Sequence, residues 1–141
     1  MTFLKPLNFM KKHILLIEND DDILEFFSAA LQETRLEYIC SRATSIHQAF
    51  VMLRNLTPDI IFLNMNLRNL SGAEFVQKIK TMDCLKQTPV VLYSTMILSR
   101  RFKEALAISE YILLPGNVIT MASILKNLLK SVKEVNACEI N

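Results

Sequence analysis

Residues able to do chemistry gather at a few points of this chain. The densest is Glu18-Asn19-Asp20-Asp21-Asp22, directly after the apolar run that starts at His13 and ends at Ile17. Carboxylates are hard oxygen donors, and such a cluster could hold a divalent cation. The same acids suit the start of a helix, where a side-chain oxygen accepts orphan backbone N–H groups and negative charge meets the positive end of the helix dipole. Helix capping and solvated charge form the stronger reading. A second point is Asn64. Thr57-Pro58-Asp59 leads into Ile60, Ile61, Phe62 and Leu63, the uninterrupted apolar run of a strand buried on both faces, and Asn64 stands at its carboxyl end. Open α/β sheets place ligands and chemistry at that end. Asn64, Asn66 and Asn69 could form a polar site for a small ligand, although asparagines after a strand most often supply turn hydrogen bonds. Ser94 closes a further apolar run and Tyr111 opens another.

Other reactive types carry less. His13 and His47 have no acid or cysteine at ligand spacing, so neither reads as catalytic. Cys40, Cys84 and Cys138 are widely separated and lack CxxC spacing, which suggests idle or buried thiols rather than a disulfide framework or a zinc site. Glycine occurs only at positions 72 and 116, which leaves no glycine-rich phosphate loop and argues against nucleotide binding.

Five apolar runs and five helical patterns must position these groups. The runs are His13 to Ile17, Glu37 to Ser41, Ile60 to Leu63, Val90 to Ser94 after Pro89, and Tyr111 to Leu114 before Pro115-Gly116. Between them, Ile23, Phe26, Phe27, Ala30 and Leu31 recur at helical spacing after a cap at Asp20 or Asp21. Ala43, Ile46, Ala49, Phe50 and Leu53 mark a second helix, capped by Thr44 or Ser45 and ending near Leu56. Phe75, Val76, Ile79 and Met82 predict a third, Phe102, Ala105, Leu106 and Ile108 a fourth, and Ile119 to Val132 the last, within Val118 to Val135. Strict alternation of strand and helix predicts a parallel sheet covered on both faces by right-handed crossovers. The expected fold is α/β: a flavodoxin-like, doubly wound, five-stranded parallel sheet with five helices. The expected organisation is a leader over residues 1–12, one domain over 13–135 and a tail over 136–141.

Composition narrows the function classes. At 141 residues, 51% of them hydrophobic, the chain can bury one good core and is too short for two ordinary domains. Apolar runs of four or five residues fall far below the roughly 20 that cross a bilayer, so a cytoplasmic domain without membrane contact is expected. The net charge of +2 arises from interspersed acids and bases, which implies no direct nucleic-acid binding.

Five landmarks in order give the chain a family likeness: the acidic cluster after the first strand, the central strand that leads to Asn64 and Gly72, Pro89 with Ser94, Tyr111, and Pro115. It resembles the receiver domain of two-component response regulators over roughly His13 to Leu129. Receivers use two acids after strand one and an acceptor aspartate to hold Mg²⁺, and a lysine on strand five to grip the phosphoryl group. The resemblance assigns these places here to Glu18, Asn19, Asn64 and Leu114. Asn64 is a neutral amide that cannot serve as the carboxylate nucleophile. Two negative charges and the positive one are lost together, which leaves Glu18 as the only formal charge of the expected pocket and reads as a site retired as a unit.

The resemblance therefore implies a pseudo-receiver: no enzyme, no cofactor, no metal, and a role in protein–protein interaction. Ser94 and Tyr111 match the hydroxyl and aromatic that move together in receivers. Here they are either simply packed or held permanently in one arrangement. Arg100, Arg101, Phe102, Lys103, Tyr111, Lys126 and Lys130 put basic and aromatic groups on the face through which receivers meet partners. A histidine kinase, another regulator or a second copy of the chain would fit that face. Two alternatives stay open: an atypical phosphoacceptor that uses Ser94 or an acid of the Glu18 to Asp22 cluster, and a small-ligand module at the same crevice.

Overall fold

A computed structural model describes residues 11–65, 72–95 and 110–132. Its sheet is built from β1 (Lys12–Ile17), β2 (Tyr38–Ala43), β3 (Ile60–Asn64), β4 (Val90–Ser94) and β5 (Glu110–Leu113), all parallel, in the order β2-β1-β3-β4-β5. Four helices lie among the described residues: α1 (Asp21–Glu33), α2 (Ile46–Leu53), α3 (Gly72–Lys80) and α4 (Val118–Ser131). The doubly wound reading holds. The helix expected around Phe102 to Ile108 falls outside the described residues, as do the first ten residues, the tail and Cys138.

Central strands are apolar on both faces because both faces are covered. Every residue of β3 and of β4 is buried. On one face Ile14, Leu16, Ile60, Phe62, Val91 and Tyr93 pack with Phe27 and Leu31 of α1 and Met121 and Leu125 of α4. On the other, Leu15, Ile17, Ile61, Leu63 and Leu92 meet Ala49 and Leu53 of α2 and Phe75, Val76 and Ile79 of α3. Side chains alternate between faces along a strand, so Glu18, Asn64 and Tyr93 extend the first face while Ser94 follows Leu92 on the second.

The caps resolve two open choices. Asp20, with extended backbone, accepts from Asp22 N at 2.8 Å and from Ile23 N, and starts α1. Ser45 accepts from Gln48 N at 3.0 Å and starts α2. α2 ends at Leu53 and α4 at Ser131, both shorter than expected; α4 stops where Val132 turns extended and its carbonyl accepts from Lys12 Nζ at 2.9 Å. β2 runs two residues further than expected, to Ala43. Cys40 is a free thiol that burial pushes up to about 11, whereas Cys84 is disulfide-bonded, contrary to the expectation of an idle thiol.

Candidate functional site

The carboxyl ends of β1, β3 and β4 converge on one side chain. Glu18 follows β1 directly and is 0% exposed. Its Oε1 accepts from Asn64 Nδ2 at 2.9 Å and from Tyr93 Oη at 3.1 Å. Its Oε2 accepts from Asn64 Nδ2 at 2.6 Å and from the backbone N–H groups of Asn19 at 2.9 Å and Asp20 at 3.4 Å. A carboxylate only accepts, and every partner here is a neutral donor. Sheet register makes this convergence possible. Ile17 pairs with Leu63, so Glu18 and Asn64 lie one step beyond a matched pair, and Asn64 pairs with Tyr93.

Tyr93 is held as firmly as the acid. Its ring lies 5.6 Å from that of Phe27, which meets Phe62 edge-on at 5.0 Å. Burial first, then the Glu18 charge and its hydrogen bond, push the Tyr93 hydroxyl well above the ordinary phenol range. The hydroxyl therefore stays a donor. Arg42, at the end of β2, donates through Nε to the Glu18 carbonyl at 2.9 Å and through Nη1 to Asp21 Oδ1 at 2.7 Å. That guanidinium sets a positive charge against the Glu18 backbone and the exposed Asp21, away from the carboxylate itself.

The remaining expected site residues scatter. Asn19 contributes its backbone N–H to Glu18 while the residue is exposed. Ser94 is 0% exposed, on the opposite face from Asn64. Leu114 is half-buried against the cluster over α1 and α4, and its N–H donates to the Ser94 carbonyl at 2.9 Å. Tyr111 is partly buried against the other cluster and pairs with Leu92. Lys126 and Lys130 are exposed on α4, whereas Arg100, Arg101, Phe102 and Lys103 fall outside the described residues. Sequence reasoning missed Tyr93 and Arg42. A tyrosine near the end of a strand buried on both faces was the available signal for the first, because a buried hydroxyl needs a partner.

A Mg²⁺ site does not fit the described residues. No three His, Cys, Asp or Glu among them gather at ligand distance, and both oxygens of Glu18 already accept from protein donors. A hard cation would have to displace those donors.

The family profile described as response regulator receiver domain matches residues 14–114. The chain belongs to this family. As a receiver, it is 28% identical over 86 residues to the protein-glutamate methylesterase/protein-glutamine glutaminase 1 of Caulobacter vibrioides, covering 61% of this chain and 24% of that protein. It spans about a quarter of the length of the curated relatives it matches, at 24% and 23%. The phosphorylated cyanobacterial phytochrome response regulator RcpA superposes with a TM-score of 0.71 at 26% identity, over 85% of this receiver and 92% of that chain. A response regulator in red light signaling of R. palustris superposes at 0.76 over 92% of this receiver and 99% of that chain; at 14% identity it shares the fold. No helix among the described residues of this receiver is long and apolar enough to cross a membrane.

Proposed function

We propose that this chain is a phosphorylation-independent receiver, an interaction module of two-component signal transduction that keeps the family's fold without its phosphoryl chemistry. One observation carries the reading: the group at the end of β3, Asn64, donates through its amide to both oxygens of Glu18. An acceptor site needs a carboxylate free to attack phosphorus beside a metal. Here the position is an amide, and its nitrogen is committed to the neighbouring acid. Leu114 supports the same reading, since an aliphatic side chain cannot grip a phosphoryl group.

The alternatives gain little support. Ser94 is fully buried, which gives a phosphodonor no access to its hydroxyl. Glu18 is saturated with donors, and a small ligand would have to compete with four protein groups for it. Output then passes through contact with another chain, a histidine kinase, a second regulator or a second copy. Tyr111, Lys126 and Lys130, together with the basic stretch Arg100 to Lys103, are the proposed contact residues.

Incubation with Mg²⁺ and acetyl phosphate, followed by intact mass measurement under conditions that preserve acyl phosphates, tests the proposal. The expected spectrum shows the unmodified chain alone. A phosphoryl adduct would overturn it.

A further inference from the structure

We infer that Asn64 is required by the fold as the closest donor in a clasp in which Asn64 and Tyr93 both donate to Glu18 and so join the carboxyl ends of β1, β3 and β4. The clasp rests on geometry alone and stands or falls separately from the absence of phosphoryl transfer. Three observations support it. Glu18 is 0% exposed and Asn64 4%, so neither has water to replace a lost partner. The Asn64 amide supplies the bond at 2.6 Å, the shortest that Glu18 makes. Every group facing Glu18 across the clasp is a donor, which leaves no room for a second acceptor. The position of the Tyr93 hydroxyl beside Glu18 is fixed by its ring packing against Phe27.

An aspartate at position 64 would therefore not return a working acceptor. It would set a second carboxylate where the Asn64 amide now sits, 2.6–2.9 Å from the Glu18 oxygens. Like charges in a desolvated site cannot both stay ionised, so one carboxyl must be protonated against neutral pH, and removing the partner of a buried charge is strongly destabilising. The companion change Glu18→Gln reverses the polarity of the pair. With its Oε1 kept toward the Asn19 and Asp20 N–H groups, its Nε2 would donate to an aspartate at 64 and to the Tyr93 hydroxyl, which can accept as well as donate, so donor and acceptor would be matched again.

The experiment is a double-mutant cycle read by urea unfolding at neutral pH in EDTA, with native chain, Asn64→Asp, Glu18→Gln and the double variant. Asn64→Asp is expected to lower the folded-to-unfolded ratio on the order of a hundredfold. The double variant is expected to recover at least half of that loss on a logarithmic scale, even though it carries two changes. If Asn64→Asp does not fold at all, the double variant still must. An Asn64→Asp chain as stable as the native one, or a double variant whose loss equals the sum of the single losses or that fails to fold, would overturn the clasp. Because no phosphodonor or metal enters the measurement, a phosphoryl adduct found in the mass experiment would leave this result unaffected.

Discussion

The two ends of β1 hold polar groups by opposite means. At the carboxyl end, Glu18 is sealed from water and satisfied by neutral donors whose positions are set by β3 and β4. At the amino end, His13 is half-buried. Its backbone N–H donates to Asp59 Oδ2 at 2.7 Å, and its ring Nε2 lies 3.1 Å from Ser41 Oγ on the edge strand β2. Solvent reaches that end. A polar group there can exchange a protein partner for water, whereas Glu18 cannot. The difference teaches that burial, rather than the count of hydrogen bonds, decides how much a single polar deletion costs.

Removing one hydroxyl at each end sharpens this comparison. Tyr93→Phe keeps the ring packed against Phe27 but deletes a donor to a buried carboxylate, and a loss of roughly 1–2 kcal/mol is expected by urea unfolding. The amino end responds instead through pH. Burial lowers the His13 pKa below its ordinary value, and the nearby Asp59 charge opposes this by raising it. A histidine whose folded value is depressed is protonated more readily when unfolded. The stability it carries is full above the unfolded value of about 6.5 and is lost as pH falls from there toward the folded value. Asp59→Asn removes the opposing charge, so the His13 ring is expected to titrate at still lower pH by NMR. A rise would mean that the Asp59 charge does not raise the His13 value. The smallest effect is expected for Ser41→Ala, within about 0.5 kcal/mol, because water can replace the hydroxyl at the half-buried edge. Equal losses for Tyr93→Phe and Ser41→Ala would break the comparison.

Much of the fold was legible because its signals are local. Ile60 to Leu63 and Val90 to Leu92 are apolar without interruption and bounded by turn residues, the pattern of strands buried on both faces. Asp20 and Ser45 stand where helices need acceptors. β2 was read two residues short because Arg42 looks like the solvated end of a strand. Its charge is in fact used at the Glu18 carbonyl and at Asp21. The site was legible only by halves. Asn64 showed itself by its place at the end of a buried run, and Glu18 by following β1. The role of Tyr93 depends on the register that sets it beside Asn64, and no local pattern encodes register between strands this far apart. Ser94, one residue further along, was the hydroxyl singled out on this strand, and it faces the other way.

The clasp also has a history within each folding event. Glu18 is 46 residues from Asn64 and 75 from Tyr93 along the chain. Its carboxylate can leave water without penalty only after β3 and then β4 have docked beside β1, and both closures must be made before the bonds repay them. The clasp therefore closes late. Interactions absent from the transition state slow unfolding and leave the folding rate nearly unchanged. The stability lost in Tyr93→Phe should accordingly appear as faster unfolding, so that the sealed end of the sheet acts as a latch on the finished domain rather than as a seed for its assembly.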